Sequence, residues 1–97
     1  MFDVRFEWDA VKNRANVKKH GISFNEAITV FDDPNAMYKP DPDHSQYEER
    51  FIVFGYSVKM RILVVCHCYY ERDSVIRIIS ARKATKNETD QYRRNTP

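Results

Sequence analysis

Three strongly β-forming segments follow one another in the second half of the chain, with only three or four residues between them. They cover residues 50–56, 61–70 and 74–82 and are rich in β-branched and aromatic side chains. Parallel strands need a crossover of a dozen residues or more, so connections this short require antiparallel hairpins. The sequence therefore predicts an antiparallel meander at the centre of the fold.

The first 21 residues predict a strand followed by a helix. Apolar and polar residues alternate over 2–8, which is typical of a half-buried strand. Asp9 is a suitable N-cap and Gly21 a suitable C′ residue for a helix over Ala10–His20. One face of the strand would hold Phe2, Val4, Phe6 and Trp8. The helix would bury a thin stripe of Val11, Ala15 and Val17 and expose Lys12, Asn13, Arg14, Asn16, Lys18 and Lys19.

Two capping boxes of the form S/T-x-x-E predict two more helices. Ser23 and Glu26 open a helix over residues 24–31, and Thr85 and Glu88 open one over Lys86–Arg94. The stretch between residues 34 and 49 is rich in proline and acids and predicts a loop with one short strand near 36–39. The predicted order is β-α-α-(β)-β-β-β-α, an α+β fold.

Composition limits the size and setting of the protein. With 97 residues, of which 42% are hydrophobic, the chain predicts a single domain over 1–97 with a small core. No apolar run reaches the length of a membrane span and the N-terminus is unlike a signal peptide, so we expect a cytoplasmic protein without membrane contact. Cys66 and Cys68 lie two residues apart on one strand and predict no disulfide framework.

Charge is unevenly distributed although the net charge is only +2. Residues 32–49 hold six acids and one lysine, whereas residues 50–97 hold ten Lys or Arg against four acids. A basic surface beside an acidic loop suits an anionic ligand such as phosphate. A solvated surface of mixed charge is the alternative.

The alternation of the last strand draws attention to Arg77. It predicts that Val75, Arg77, Ile79 and Ala81 share one face and that Ile76, Ile78, Ser80 and Arg82 share the other. On the middle strand, Arg61, Leu63, Val65, His67 and Tyr69 would share a face. An arginine between isoleucines either pairs with an acid, reaches out at an edge or contacts a ligand.

Several enzyme classes are excluded by the sequence. With only two glycines, the chain has no nucleophile elbow, no P-loop and no dinucleotide fingerprint. The run Asp41-Pro42-Asp43-His44 has hard metal ligands but no EF-hand or helical spacing, so a solvated acidic loop is favoured over a metal site. We expect no metal and no cofactor.

RNA cleavage fits the remaining residue types. The 2′-hydroxyl of RNA can attack its own phosphate without a metal, provided that the protein stabilises charge on phosphorus and moves two protons. His20 and His67 are acid/base candidates because their ordinary pKa lies near neutrality. Their alternatives are a helix C-terminal cation for His20 and a half-buried strand residue for His67.

Motifs along nearly the whole chain resemble those of the BrnT toxin family. They are Phe6-Glu7-Trp8-Asp9, Lys12-Asn13, Asn16, Lys19-His20-Gly21, Ser23-Phe24, Glu26-Ala27, Phe31-Asp32-Asp33-Pro34, Asp41-Pro42-Asp43-His44-Ser45, Glu49-Arg50, Gly55 and the run from Arg77 to Thr85. The resemblance implies the toxin of a type II toxin–antitoxin module. It also implies a RelE-like fold, an antiparallel sheet packed by two N-terminal helices and a short C-terminal helix.

The resemblance further implies a metal-independent ribonuclease that arrests translation. Its partner would be a BrnA-type antitoxin with a ribbon-helix-helix region, and operator DNA would be bound only through the toxin–antitoxin complex. The expected catalytic residues are His20, Arg77, Arg82 and Lys83, and the expected RNA-binding residues are Lys12, Lys19, Arg61, His67 and Ser80. A non-catalytic protein that binds a partner or nucleic acid is the alternative.

Overall fold

The computed structural model describes residues 4–41, 43 and 48–97. Phe2 of the predicted first strand, and Pro42 and His44 of the acidic run, lie outside these residues. The strands are β1 (Arg5–Glu7), β2 (Met37–Pro40), β3 (Phe51–Tyr56), β4 (Ile62–Tyr70) and β5 (Val75–Lys83). The helices are α1 (Ala10–His20), α2 (Phe24–Ala27), a 3-10 helix (Ile28–Asp32) and α3 (Lys86–Arg94). The predicted helix over 24–31 is therefore one α-helical turn continued as a 3-10 helix.

The five strands form one sheet in the order β1-β5-β4-β3-β2. The strands from β2 to β5 pair antiparallel, which confirms the predicted meander. β1 runs parallel to β5 and pairs with only three of its residues, Val75, Ile76 and Arg77. The edge of β5 beyond Arg77 therefore has no strand beside it in the described part of the chain.

The two sides of the sheet differ in what covers them. On one side, here called the helix face, α1, α2 and the 3-10 helix cover the main core. The other side, here called the cleft face, carries a smaller apolar cluster under α3. The main core consists of Ile22, Phe24, Ala27, Val30, Val53, Leu63, Val65, Ile76, Ile78 and Ala81. The smaller cluster consists of Phe54, Ile62, Val64 and Tyr92.

Helix α1 is attached to the sheet by an asparagine. The side chain of Asn16 is buried, and its Nδ2 donates to the carbonyls of Ile22 and Ala81, both at 2.8 Å. Its Oδ1 accepts from the backbone N–H of Ala81 at 3.1 Å. The amide of Asn16 thus pairs with β5 as a neighbouring strand would, at a point that β1 does not reach.

The predicted apolar stripe of α1 is wrong. Val11 is 63% exposed and Val17 is 44% exposed, whereas Asn16 is buried. Asn13, on the same side as Asn16, accepts a hydrogen bond from the backbone N–H of Phe24 at 2.8 Å. The helix turns its asparagines inward because they satisfy backbone groups that would otherwise be buried without partners.

A β-bulge in β5 changes which of its residues share a face. His67 pairs with Ile78 but Cys66 pairs with Ser80, so Ile79 is an extra residue in the ladder. The predicted alternation is therefore wrong beyond Ile78. Ile76, Ile78 and Ala81 lie on the helix face, and Arg77, Ser80 and Arg82 lie together on the cleft face.

The 3-10 helix lies close against β3 at Gly55. A Cβ atom there would come within 3.1 Å of the carbonyl oxygen of Val30, so glycine permits the approach. Just beyond this point, Asp33 Oδ2 accepts from the backbone N–H of Tyr56 at 2.9 Å and from the hydroxyl of Tyr92 at 2.6 Å. One carboxylate therefore ties the helix face to α3 on the cleft face.

We predict that Asn16→Ala lowers the free energy of unfolding by about 3 kcal/mol, because it leaves buried backbone groups of Ile22 and Ala81 without partners. Urea unfolding at neutral pH measures the change. Arg14→Ala, on the exposed side of the same helix, is the control and should change stability by less than about 0.5 kcal/mol. Equal losses in the two variants would contradict the anchoring role of Asn16.

Candidate functional site

A recess of about 160 Å³ opens on the cleft face between β3, β4 and β5. Ile52, Val64 and Cys66 are among its lining residues. Its polar residues are Asp41, Arg50, Ser80 and Arg82, with Ile79 beside them. The bulge of β5 places Ser80 and Arg82 here. Without the extra residue, strand alternation would put both side chains on the helix face with Ile78. We call this recess the cleft.

Arg82 is held by the N-terminal turn of α3. Its Nη1 and Nη2 donate to the two carboxylate oxygens of Glu88 at 2.7 and 2.9 Å, and Nη1 also donates to the carbonyl of Lys83 at 3.3 Å. The hydrogen bonds from Arg82 lower the pKa of Glu88 to about 2, against the cost of its burial. Both charges therefore persist at neutral pH, and the guanidinium has a fixed orientation.

Arg77 lies on the same face as the cleft, further along β5. It forms an ion pair with Glu7 of β1, with 3.5 Å between Nη1 and Oε1, and its side chain is about one third exposed. Of the three alternatives for Arg77, the structure shows the pairing with an acid. The partly exposed guanidinium remains accessible to a ligand, so the predicted ligand contact stays a prediction.

The thiols of Cys66 and Cys68 are free. Burial, followed by the charge of Asp41, raises the pKa of Cys66 to about 11. Cys66 is therefore a neutral thiol at physiological pH, and in the cleft its Sγ donates a weak hydrogen bond to Asp41 Oδ2 at 3.9 Å.

His67 is fully buried on the helix face, which corrects its expected role in RNA binding. Its ring packs edge-on against Phe31, Tyr38 and Tyr69, and Nε2 lies 3.1 Å from the Tyr69 hydroxyl. Burial lowers its pKa, so the ring is neutral at neutral pH. With a neutral ring and no exposed surface, His67 is a core residue. The alternation of the strand could not show that its face is buried.

Arg61 is engaged in a largely buried ion pair. Its Nε and Nη2 donate to the carboxylate of Glu26 at 2.7 and 2.6 Å, and Ser57 Oγ donates to the same group at 2.7 Å. The hydrogen bond from Arg61 is the main reason why the pKa of Glu26 is lowered. Arg61 thus joins α2 to the β3–β4 hairpin, and the geometry favours this structural role over RNA binding.

The structure separates the remaining expected site residues into two groups. Lys12, Lys19 and His20 belong to α1, which covers the helix face at Ala81. Lys83 alternates with Arg82 and so lies on the side of Ala81. Only Arg77, Ser80 and Arg82 of the expected residues are together on the cleft face, and a single site that includes α1 is not formed.

Two polar residues of the cleft were missed as candidates from the sequence. The sequence indicates Asp41 only as a possible metal ligand and as part of a family motif, and Arg50 only as part of a family motif. Arg50 is the first residue of the predicted strand over 50–56 and directly precedes β3. The sequence therefore places it at the end of a strand, but it does not show which residues lie across the sheet from it. Within residues 4–41, 43 and 48–97, no group of three His, Cys, Asp or Glu residues could hold a metal ion.

Comparisons with known proteins agree with the fold. A family model described as "Ribonuclease toxin, BrnT, of type II toxin-antitoxin system" matches residues 8–88. The structure is similar to the crystal structure, at 1.1 Å resolution, of the Brucella abortus ribonuclease toxin BrnT, with a TM-score of 0.64. The two chains are 20% identical, and the match covers 89% of this chain and 100% of that chain. No curated protein matches the sequence. No helix in the described part of the chain is long and apolar enough to cross a membrane.

We predict that Glu26→Gln lowers the free energy of unfolding by about 2 kcal/mol at pH 7. Because folding lowers the pKa of Glu26, its contribution is present above its ordinary value of 4.5 and is lost as the pH falls. The difference between wild type and variant should therefore shrink at about pH 3. Urea unfolding at both pH values measures it.

The control for this prediction is Glu49→Gln, which changes an exposed carboxylate. It should alter stability by less than about 0.5 kcal/mol at either pH. A difference between Glu26→Gln and wild type that stays constant down to low pH would show that the charge of Glu26 is not what stabilises the fold.

Proposed function

Because the chain belongs to the BrnT family of ribonuclease toxins of type II toxin–antitoxin systems, we propose that it is an endoribonuclease that cleaves RNA without a metal ion and thereby arrests translation. The observation that carries this proposal is the cleft, where the guanidinium of Arg82 is fixed beside Arg50 and Ser80. Arg77 extends the positive charge along the same face. Family membership supports the proposal that the chain is a ribonuclease. The grouping of arginines supports the proposal that the reaction takes place in the cleft.

In RNA transesterification the O2′–P bond forms as the P–O5′ bond breaks, and the leaving 5′-oxygen takes a proton, here from water. The cleft has groups for the other two tasks, charge stabilisation and removal of the 2′-proton. Attack of the 2′-hydroxyl on phosphorus adds negative charge to the phosphate oxygens, and fixed guanidinium groups stabilise that charge. Arg82, fixed by Glu88, is suited to this role. Arg50, which pairs with Glu48 at 3.5 Å, adds a second positive charge to the same recess. The carboxylate of Asp41, in the same recess, is suited to accept the proton of the 2′-hydroxyl.

The partner that we propose is an antitoxin whose ribbon-helix-helix region binds operator DNA as part of the complex. Neutralisation would follow if an acidic or amphipathic segment of the antitoxin covered the cleft and paired with its arginines. If the antitoxin segment at this interface proved to be basic, the proposal that the reaction takes place in the cleft would be wrong. Reduced, intracellular conditions suit the two free thiols and the proposed target.

We predict that the purified protein cleaves single-stranded RNA equally well with and without EDTA, and that Arg82→Ala lowers the cleavage rate by about 100-fold. Lys59→Ala, at the exposed β3–β4 turn, is the control and should cleave like wild type. In cells, wild type should arrest growth and Arg82→Ala should not.

Three outcomes would contradict the proposal in different ways. Cleavage that requires a metal ion would reject the metal-independent mechanism. Folded wild-type protein that binds RNA or an antitoxin but never cleaves would favour the alternative, a non-catalytic binding protein. Full activity of Arg82→Ala would place the reaction outside the cleft.

The two faces of the sheet can be tested separately. We predict that His20→Ala on α1 retains most of the activity, because α1 covers the face opposite to Arg82. Asp41→Asn in the cleft should lower the cleavage rate by about 100-fold or more through loss of the base. RNA cleavage by the two variants, each checked for an unchanged melting temperature, decides between the faces. Loss of activity in His20→Ala alone would move the site to the helix face.

A further inference from the structure

The guanidinium of Arg82 has five N–H donors, and three of them are occupied. The end edge, formed by one N–H each of Nη1 and Nη2, faces the two carboxylate oxygens of Glu88 at 2.7 and 2.9 Å. The second N–H of Nη1 donates to the carbonyl of Lys83 at 3.3 Å. The Nε–H and the second N–H of Nη2 remain, and neither meets an acceptor among the residues that the structure describes.

The two remaining donors are adjacent and point the same way. In a planar guanidinium, the Nε–H and the outer N–H of Nη2 form the side edge, which binds two oxygens of a phosphate in a bidentate manner. Arg82 lines the cleft, and its side chain is 43% exposed. Its end edge is therefore used for anchoring while its side edge is left to bind an anion.

Glu88 is itself fixed, so it can act as an anchor. Its Oε1 also accepts from the backbone N–H of Thr85 at 2.9 Å, and this bond holds the carboxylate that Arg82 binds. Its own backbone N–H donates to Thr85 Oγ1 at 3.2 Å, a bond that caps the helix without contacting the carboxylate. These bonds form the capping box of α3. The far end of the helix is held by buried Tyr92, whose hydroxyl donates to Asp33. The orientation of Arg82 is thus coupled to the folding of α3.

We propose that Glu88 is a positioning residue, which holds the end edge of Arg82 so that the side edge can bind a phosphate of the RNA at the reaction centre. This inference rests on the proposed function. Glu88 does not contact the substrate in this role, and its effect passes through the geometry of one guanidinium. A competing role, in which Glu88 neutralises Arg82 and opposes RNA binding, makes opposite predictions.

The experiment measures kcat and KM for cleavage of one RNA oligonucleotide by a set of variants. Glu88→Gln has nearly the same size and can still accept from the N–H of Thr85. It cannot accept two hydrogen bonds from Arg82, because its amide nitrogen is a donor. We expect kcat to fall by about 10- to 100-fold with little change in KM, since small misplacements of a catalytic group are costly.

Two further substitutions test the same geometry from either side. Glu88→Asp keeps the charge but is shorter by one methylene, so we expect it to lower kcat in the same way. It also provides the test if Glu88→Gln does not fold. Arg82→Lys keeps the positive charge at the cleft but cannot use two edges at once, so it should also lose kcat.

Thr85→Val is the matched control for the stability of α3. It removes the hydroxyl that caps the helix but leaves the backbone N–H of Thr85, and both hydrogen bonds between Arg82 and Glu88, in place. We expect a lowered melting temperature with the kcat and KM of wild type. Equal losses of kcat in Thr85→Val and Glu88→Gln would overturn the positioning role, because loss of helix stability alone would then explain both.

The remaining outcomes separate this inference from the proposed function. Wild-type kcat in Glu88→Gln with an inactive Arg82→Ala would overturn the inference and leave the proposed function intact. A lower KM or a higher kcat in Glu88→Gln would also overturn it and would identify Glu88 as a competitor of RNA. Full activity of Arg82→Ala, or no cleavage by wild type, would reject the proposed function itself.

Discussion

The hydrogen bonds between Asn16 and the backbone of Ala81 are the contact on which the arrangement of the molecule depends. β1 pairs with only three residues of β5, so the edge of β5 at Ala81 would lack a neighbour without them. An amide side chain replaces the missing strand because it offers one donor and one acceptor, as a peptide group does. The same contact places α1 on the helix face. It also fixes the segment that directs Ser80 and Arg82 to the opposite side.

The bulge at Ile79 gives this segment its functional orientation. Side chains of a strand alternate between faces, so one extra residue reverses every side chain that follows it. Before the bulge, β5 contributes Ile76 and Ile78 to the main core and Arg77 to the cleft face. After the bulge, Ala81 belongs to the core, and Ser80 and Arg82 line the cleft. The three polar residues share a face because the ladder is irregular.

Most elements of the fold could be predicted from the sequence, whereas much of the site could not. Hairpin spacing and capping residues are local, and they located β3, β4, β5, α1 and α3 to within a residue or two. The interior of α1 was wrong because a pattern of apolar residues cannot show that buried backbone groups need Asn16. The expectation that His67 binds RNA failed because alternation predicts which residues share a face of the sheet but not whether other elements bury that face. Glu88 was identified as a cap, but its bond to Arg82 depends on how α3 packs against β5, which no local pattern contains.

The positive charge noted in the sequence is divided between surfaces that act differently. On α1, Lys12, Arg14, Lys18 and Lys19 are exposed and form no ion pair within the described residues. Their field is diffuse and is screened over about 8 Å at physiological ionic strength, so it attracts a polyanion, such as the proposed RNA substrate, without orienting it. In the cleft, Arg82 is paired with Glu88, so its net attraction is smaller but its direction is fixed. Catalysis depends on direction more than on total charge, because only a group aligned with the developing charge stabilises the transition state selectively.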